Sequence, residues 1–324
     1  MRMTPSAVLR YLALICMIAC LARPALATEN GASVWPVGAE GFATAAGVPE
    51  AGKTMYYNYT CIYLANRMND AQGRSAVPQF QLRVFAEAGK FSHNWGVKML
   101  GGELSSYVAV PVVHEQLSAA GAQFSHAGIS NINVVPVTLF NHKGFAHWYY
   151  EFEMESLAPG YQKGDALNVG QHNSAMGPAA GFSLTPRKGA EIVDSRFDYI
   201  VNRTDRATQY RSGNEFFWQF DAQQKFTHRG ITVGTSGYLY RQVTDDTQSE
   251  KAVVTTNAGG IQTAGYRGRS LDFGPQITLP IGKHGAAVLK WDHDMLVENK
   301  PQGNSIWLQI GVPFGLFHRS GRGQ

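Results

Sequence analysis

The sequence predicts an all-β protein: a transmembrane antiparallel up-and-down β-barrel of about twelve strands, preceded by a cleaved signal peptide. Three observations predict it. A strict two-residue alternation recurs from about Met55 to Phe314, and the connections between alternating segments sort into short and long. After the N-terminal leader, no run reaches the roughly 18 apolar residues that a membrane-spanning helix needs.

The leader is residues 1–27. Arg2 and Arg10 form its basic region, residues 11–21 its apolar stretch, and Ala25-Leu26-Ala27 a small-residue cleavage site marked by Ala25 and Ala27. Cys20 sits where a lipoprotein signal places its cysteine, but Met17-Ile18-Ala19 is a poor lead-in and the downstream site fits better. Residues 28–53 follow. They are small, polar and punctuated by Gly and Pro, as suits either a periplasmic arm or a plug reaching into the lumen.

Residues 54–314 carry the barrel. The expected strands are 55–65, 79–88, 98–112, 128–140, 145–156, 174–184, 190–202, 214–226, 231–243, 270–279, 286–297 and 305–314. Successive side chains on a strand point to opposite faces. Ala146, Trp148, Tyr150, Phe152 and Met154 therefore share an apolar face, and His147, Tyr149, Glu151, Glu153 and Glu155 a polar one. Phe216, Trp218, Phe220 and Ala222 oppose Glu215, Gln219, Asp221 and Gln223 in the same way. Leu82, Val84, Ala86 and Ala88 oppose Gln81, Arg83 and Glu87, which puts Arg83 and Glu87 on the expected lumen face.

Tight turns at 141–144, 186–189, 227–230 and 282–285 alternate with longer polar loops at 66–78, 113–127, 157–173, 203–213, 244–269 and 298–304. Outer-membrane barrels keep short turns on the periplasmic side and long loops outside. From a periplasmic N-terminus, every short turn here falls on the periplasmic side. Trp148, Tyr150, Tyr199, Trp218, Tyr238, Tyr240 and Trp291 are candidates for interfacial aromatic girdles.

Composition narrows the function classes. The chain has 28 Lys+Arg against 24 Asp+Glu, and three arginines leave with the signal, so the mature chain is close to neutral. A basic patch for nucleic acid is missing. Of three cysteines only Cys61 survives cleavage, which excludes an internal disulfide.

Residues 47–54 match the phosphate-binding pattern G-x-x-x-x-G-K-T, but coil precedes the match and a strand follows. The helix whose amides would cradle phosphates is lacking. The ten histidines show no metal-ligand spacing, and in Trp291-Asp292-His293-Asp294 a strand turns both acids away from His293. Ser105, Ser106 and His114 lie along one region, yet no Gly-x-Ser-x-Gly marks an activated serine. Glu151, Glu153 and Glu155 form a row along one wall rather than a pair flanking a substrate. Neither an enzymatic role nor a cofactor is expected.

Several motifs together are familiar. Asn30-Gly31-Ala32 precedes Pro36-x-Gly38-x-Glu40, and Tyr210-Arg211-Ser212-Gly213-Asn214-Glu215-Phe216 follows later. Gln242-Val243-Thr244-Asp245-Asp246 and Arg267-Gly268-Arg269 lead into Phe273-Gly274-Pro275-Gln276-Ile277. Near the end stand Val297-Glu298-Asn299-Lys300-Pro301-Gln302-Gly303, Trp307-Leu308 and Val312-Pro313-Phe314. Over nearly all of the mature chain, this set resembles a proteobacterial family named for a protein of the meta-pathway of phenol degradation. The resemblance implies an outer-membrane barrel transporter, often found beside aromatic-degradation genes, and supplies no catalytic residues. Such chains end near the aromatic closing the last strand, whereas residues 315–324 continue past Phe314. Assembly factors read that terminal strand, so the departure bears on insertion.

The expectation is an outer-membrane channel for small molecules, with hydrophobic or aromatic compounds as the class the resemblance implies. Arg83, Glu87, Glu151, Glu153, Asp194, Arg196, Asp198, Glu215, Asp221 and Asp292 are its expected lumen-lining residues, with loops 157–173 and 244–269 gating the outer mouth. Its expected partners are outer-membrane lipid, the barrel assembly machinery and a small apolar or aromatic solute. The alternative is a non-conducting structural or adhesive barrel that acts through its loops.

Overall fold

The structure, a computed structural model, describes residues 33–40, 45–226, 230–256, 262–282 and 284–314. The signal, its cleavage residues Ala25 and Ala27, and the 315–324 extension lie outside the described residues.

The strands are β1 (Thr54–Met68), β2 (Gln81–Met99), β3 (Gly102–Ala119), β4 (Ala122–Ile129), β5 (Asn133–Lys143), β6 (Ala146–Glu155), β7 (Ala175–Leu184) and β8 (Glu191–Asn202). They continue as β9 (Tyr210–Arg211), β10 (Glu215–Lys225), β11 (Thr232–Gln242), β12 (Thr247–Gln248), β13 (Lys251–Ala252), β14 (Val254–Thr256) and β15 (Gln262–Ala264). The last three are β16 (Arg269–Ile281), β17 (Gly285–Glu298) and β18 (Pro301–Pro313). Among the described residues, twelve long strands close into one antiparallel barrel, each paired with its neighbour in sequence and β1 sealed to β18. Closure removes the free edges that lipid could not satisfy. The short strands β9, β12 and β13 make a small sheet, and β14 with β15 a hairpin. Both lie in the connections at the long-loop end.

Alternation explains the strands directly. On β6, Tyr149, Glu151, Glu153 and Glu155 are buried inside, while Tyr150, Phe152 and Met154 face out, with Tyr150 59% exposed. On β18, Trp307 and Gln309 turn in and Ile306 and Leu308 turn out. An exposed apolar band is what a lipid-facing wall requires.

The loop sorting has two exceptions. Residues 113–127 are not a loop: Val113–Ala119 completes β3, and β4 folds back on it from Val112↔Ile129 to Ala119↔Ala122. Here His114, Gln116, Gln123 and Ser125 face outward. This hairpin therefore carries its polar residues outside, the reverse of the lipid-facing pattern, and its sequence reads as a loop. Residues 298–304 are also not a loop, since β17 and β18 join through Asn299 and Lys300, with Asn299 in the left-handed conformation at φ 52°. Asparagine tolerates that region better than most residues.

β4 and β5 together run beside β3, which pairs with β5 over Glu103–Ala109. At the break between them, Asn131 donates to the carbonyls of Ser156 (2.7 Å) and Gln171 (3.0 Å). Loop 157–173 is thereby tied to the wall at the junction of β4 and β5. The Gly160 N–H donates to the Ile129 carbonyl at 2.8 Å.

Candidate functional site

The lumen has two unlike walls. From β6 to β17 the inner face is acidic and hydrogen-bonded, whereas from β1 to β3 it is apolar. Residues 33–40 run between them.

Arg196 organises the polar wall. Its guanidinium lies 2.7 Å from Glu151, 2.6 Å from Glu153, 2.7 Å from Asp198 and 3.4 Å from Glu40 of the N-terminal segment. It also donates to the Tyr149 hydroxyl at 3.2 Å and stacks 4.9 Å from the Trp35 ring. A planar five-donor fork suits several carboxylates at once, where an ammonium would not. Small residues on β7 make the room: Ala175, Gly177, Ala179, Gly181 and Ser183 are the inward positions between β6 and β8.

The remaining acids are held by partners of their own, away from Arg196. Glu215 accepts from Asn202 at 2.7 Å, Asp221 from Gln223 at 3.0 Å, and Asp292 from Ser236 at 2.9 Å. Asp194 stands directly opposite Asp221 on the neighbouring strand. Asp294 accepts from the Tyr63 and Tyr238 hydroxyls at 2.7 and 3.1 Å and from the Gly303 N–H at 2.8 Å.

The N-terminal segment is fastened to this wall through its backbone. The Gly38 N–H donates to Gln219 at 2.9 Å, and Gln309 donates to the Ala39 carbonyl at 2.6 Å. The Lys290 ammonium donates to the carbonyls of Gly38 and Glu40. Trp35 and Val34 pack with Ala175, Ile200, Phe217 and Tyr240 in a buried cluster. Residues 47–54 lead into β1 without a helix, and the Pro49 carbonyl accepts from Asn94 at 2.8 Å.

Against the opposite wall lie two cavities. One of about 220 Å³ is lined near the outer loops by Met68, Phe80, Leu117 and Leu167. The other, of about 280 Å³, is lined deeper by Tyr59, Cys61, Ala86, Tyr107 and Trp307. They meet at Ser33, Trp35, Val37, Tyr63, Val84, Glu115 and Tyr238, which line both. Toward the other end the space narrows to about 50 Å³ between Tyr57, Lys90, Tyr149 and Arg196.

Of the residues expected to line the lumen, Glu151, Glu153, Asp194, Arg196, Asp198, Glu215, Asp221 and Asp292 lie on the inner face. Arg83 and Glu87 do not. Both are exposed on the outer face of β2, where Glu87 accepts from Asn58 at 3.1 Å, and Leu82, Val84 and Ala86 take the inner positions. The reason is physical: β2 is apolar on both faces, so polarity picks the wrong side. Size would have picked the right one, since small Ala86 and Ala88 turn in while Phe85 and Phe91 turn out. Tyr238 and Tyr240 likewise leave the expected girdle and point inward. The segment containing Trp35 carries no local sequence signal that marks it, whereas the inner residues Asp272, Lys290 and Asp294 follow the alternation of β16 and β17.

Among curated proteins, none matches this chain significantly. The COG4313 outer membrane channel from Pseudomonas putida F1 is similar in structure, with a TM-score of 0.67 at 15% identity over 87% of this chain and 100% of that one. The β domain of the Bordetella autotransporter BrkA gives a TM-score of 0.48 at 8% identity over 82% of this chain and 100% of that chain. OccAB1 of Acinetobacter baumannii gives 0.35 at 9% identity over 84% and 98%. The family model for the MetA-pathway of phenol degradation matches residues 65–310. The protein is thus an outer-membrane β-barrel that belongs to the family described by that MetA-pathway of phenol degradation.

Proposed function

We propose that this barrel is an outer-membrane channel for small apolar or aromatic solutes, with the N-terminal segment as its internal plug. The observation that carries the reading is the pair of joined cavities along β1 to β3, which together run from the outer loops to mid-barrel. At about 220 and 280 Å³ each cavity falls just below the roughly 300–1,000 Å³ common for ligand sites, and both are mostly apolar, which suits a small solute. Loop 157–173 contributes Ala166, Leu167 and Asn168 to the outer cavity and would act as its cover. The Pseudomonas putida protein of like fold is itself an outer membrane channel, which supports the same reading. On this reading the acidic residues around Arg196 anchor the plug and line the path rather than perform catalysis. The partners are membrane lipid, the machinery that inserts barrels, and the solute.

A non-conducting barrel is the second reading, favoured by the ion pair and hydrogen bonds that hold residues 33–40 in the lumen. Liposome uptake of small aromatic compounds, with bilayer conductance, separates the two when run on the full chain and on a chain lacking residues 33–40. Uptake above protein-free liposomes, with conductance rising on deletion, is expected. No uptake and no conductance in either form would sink transport.

A further inference from the structure

Glu115 projects inward from β3, opposite Val84 of β2 and His126 of β4. It lines both cavities at the place where they meet. The residues lining both cavities with it are Ser33, Trp35, Val37, Tyr63, Val84 and Tyr238, with Leu82 and Leu117 on the outer side and Val113 on the inner; the Tyr63 and Tyr238 hydroxyls are turned to Asp294. Among the described residues it makes no hydrogen bond and no ion pair. The contrast with the polar wall is sharp, because Glu151 has Arg196, Thr138 and Tyr107, and Asp294 has two tyrosines and a backbone N–H. His126, its cross-strand neighbour, is turned elsewhere: its Nε2 lies 2.9 Å from the Gly160 carbonyl and its Nδ1 3.3 Å from Asp165.

We propose that Glu115 is the polar anchor of the tunnel, selecting solutes with a small apolar body and a cationic or strongly hydrogen-bond-donating head group. A carboxyl set in an apolar passage without a partner is costly to keep charged, and an incoming donor relieves that cost. An ammonium supplies both charge and proton. With Glu115 ionised, as the titrations in mildly alkaline buffer ensure, a carboxylate brings like charge to the same point and is turned away. The inference deepens the channel reading and rests on it for the passage of the solute, whereas binding can be measured on the purified barrel alone.

Benzylamine, benzyl alcohol and benzoate share one ring and differ in head group. Titrated against the full-length protein in detergent, they are followed through the fluorescence of Trp35 and Trp307, which line the deeper cavity. Benzylamine is expected to bind about tenfold or more tightly than benzoate, the difference one charge-assisted hydrogen bond makes. Glu115→Gln should bring the two within about twofold, and Glu115→Asp should keep the order. Benzylamine should also slow maleimide labelling of Cys61, which lines the same cavity, and that readout needs no variant. Equal binding of benzylamine and benzoate by the wild type, or an unchanged ratio in Glu115→Gln, overturns the proposal. Head-group selection in binding without liposome uptake would sustain Glu115 and retire the channel. Uptake with no head-group preference would do the reverse.

Discussion

The Arg196 guanidinium on β8 reaches across β7 to the Glu153 carboxylate on β6, 2.6 Å away. The contact spans two strand spacings because the intervening inner positions, Gly177 and Ala179 among them, are too small to block it. With Glu151 and Asp198 also in range, one cation serves three buried carboxylates and, through Glu40, the N-terminal segment.

Removing that cation should be expensive. Arg196→Met leaves Glu151, Glu153 and Asp198 buried beside one another, and breaking such a pair costs about 3–5 kcal/mol. The urea midpoint, read from the heat-modifiable band on detergent gels, should fall. Adding Glu153→Gln to the same chain should recover part of the loss, because one uncompensated charge goes with it. Arg196→Lys should not rescue, since an ammonium cannot fork between carboxylates. A midpoint unchanged in Arg196→Met would mean the network contributes no stability.

Gly181 is the tightest point beneath Tyr149. A Cβ built there would come within 2.5 Å of the tyrosine ring. Gly181→Val must push the ring aside and disturb its bond with Arg196, for an overpacking cost of about 1–3 kcal/mol. Gly144, at a turn with open space around it, is the control: its φ of +62° makes Gly144→Asn tolerable. The same urea assay should separate the two variants.

Lys290 grips the N-terminal segment by two backbone carbonyls, those of Gly38 and Glu40. Lys290→Met should loosen residues 33–40 without touching the outer wall. Acrylamide quenching of Trp35, isolated by subtracting a Trp35→Phe variant, should rise. If quenching stays the same, the bond the segment gives to Gln219 and the one it accepts from Gln309 hold it unaided.

The loop carboxyl of Asp205 gives a pH test. Burial pushes it up, but hydrogen bonds from His172, the Ala207 N–H and Thr208 outweigh this and hold it below the usual carboxylate range. Its stabilisation is therefore complete above the unfolded value of about 3.9 and is lost as pH falls through the lower folded value. Hydrogen exchange at Ala207, corrected for its intrinsic pH dependence, should stay slow from pH 7 to 5 and quicken only below about 4. In Asp205→Asn it should be fast throughout. Loosening already at pH 6 would point to a different group.

Most of the barrel was legible because lipid imposes a rule that each strand must obey by itself. On β6, β8, β10, β16, β17 and β18 the outward residues are mostly apolar and the inward ones mostly polar, so the acids from Glu151 to Asp292 could be assigned a side from local pattern. β2 could not, because both its faces carry apolar residues and the lumen it meets is itself apolar. The β3–β4 hairpin escaped for a related reason. Its polar residues face outward, so its alternation carries no lipid signal.

The sequence by itself determined the strand count, the antiparallel order and the side on which most charges lie, since period-two patterning and connection length act between neighbours in the chain. Only the tertiary structure decided what meets across the lumen. That Trp35 stacks on Arg196, that Lys290 holds Gly38 and Glu40, and that Glu115 stands alone between two cavities are contacts between segments far apart in sequence. They are set by barrel closure and by the volume each inward side chain fills, and no local pattern encodes either.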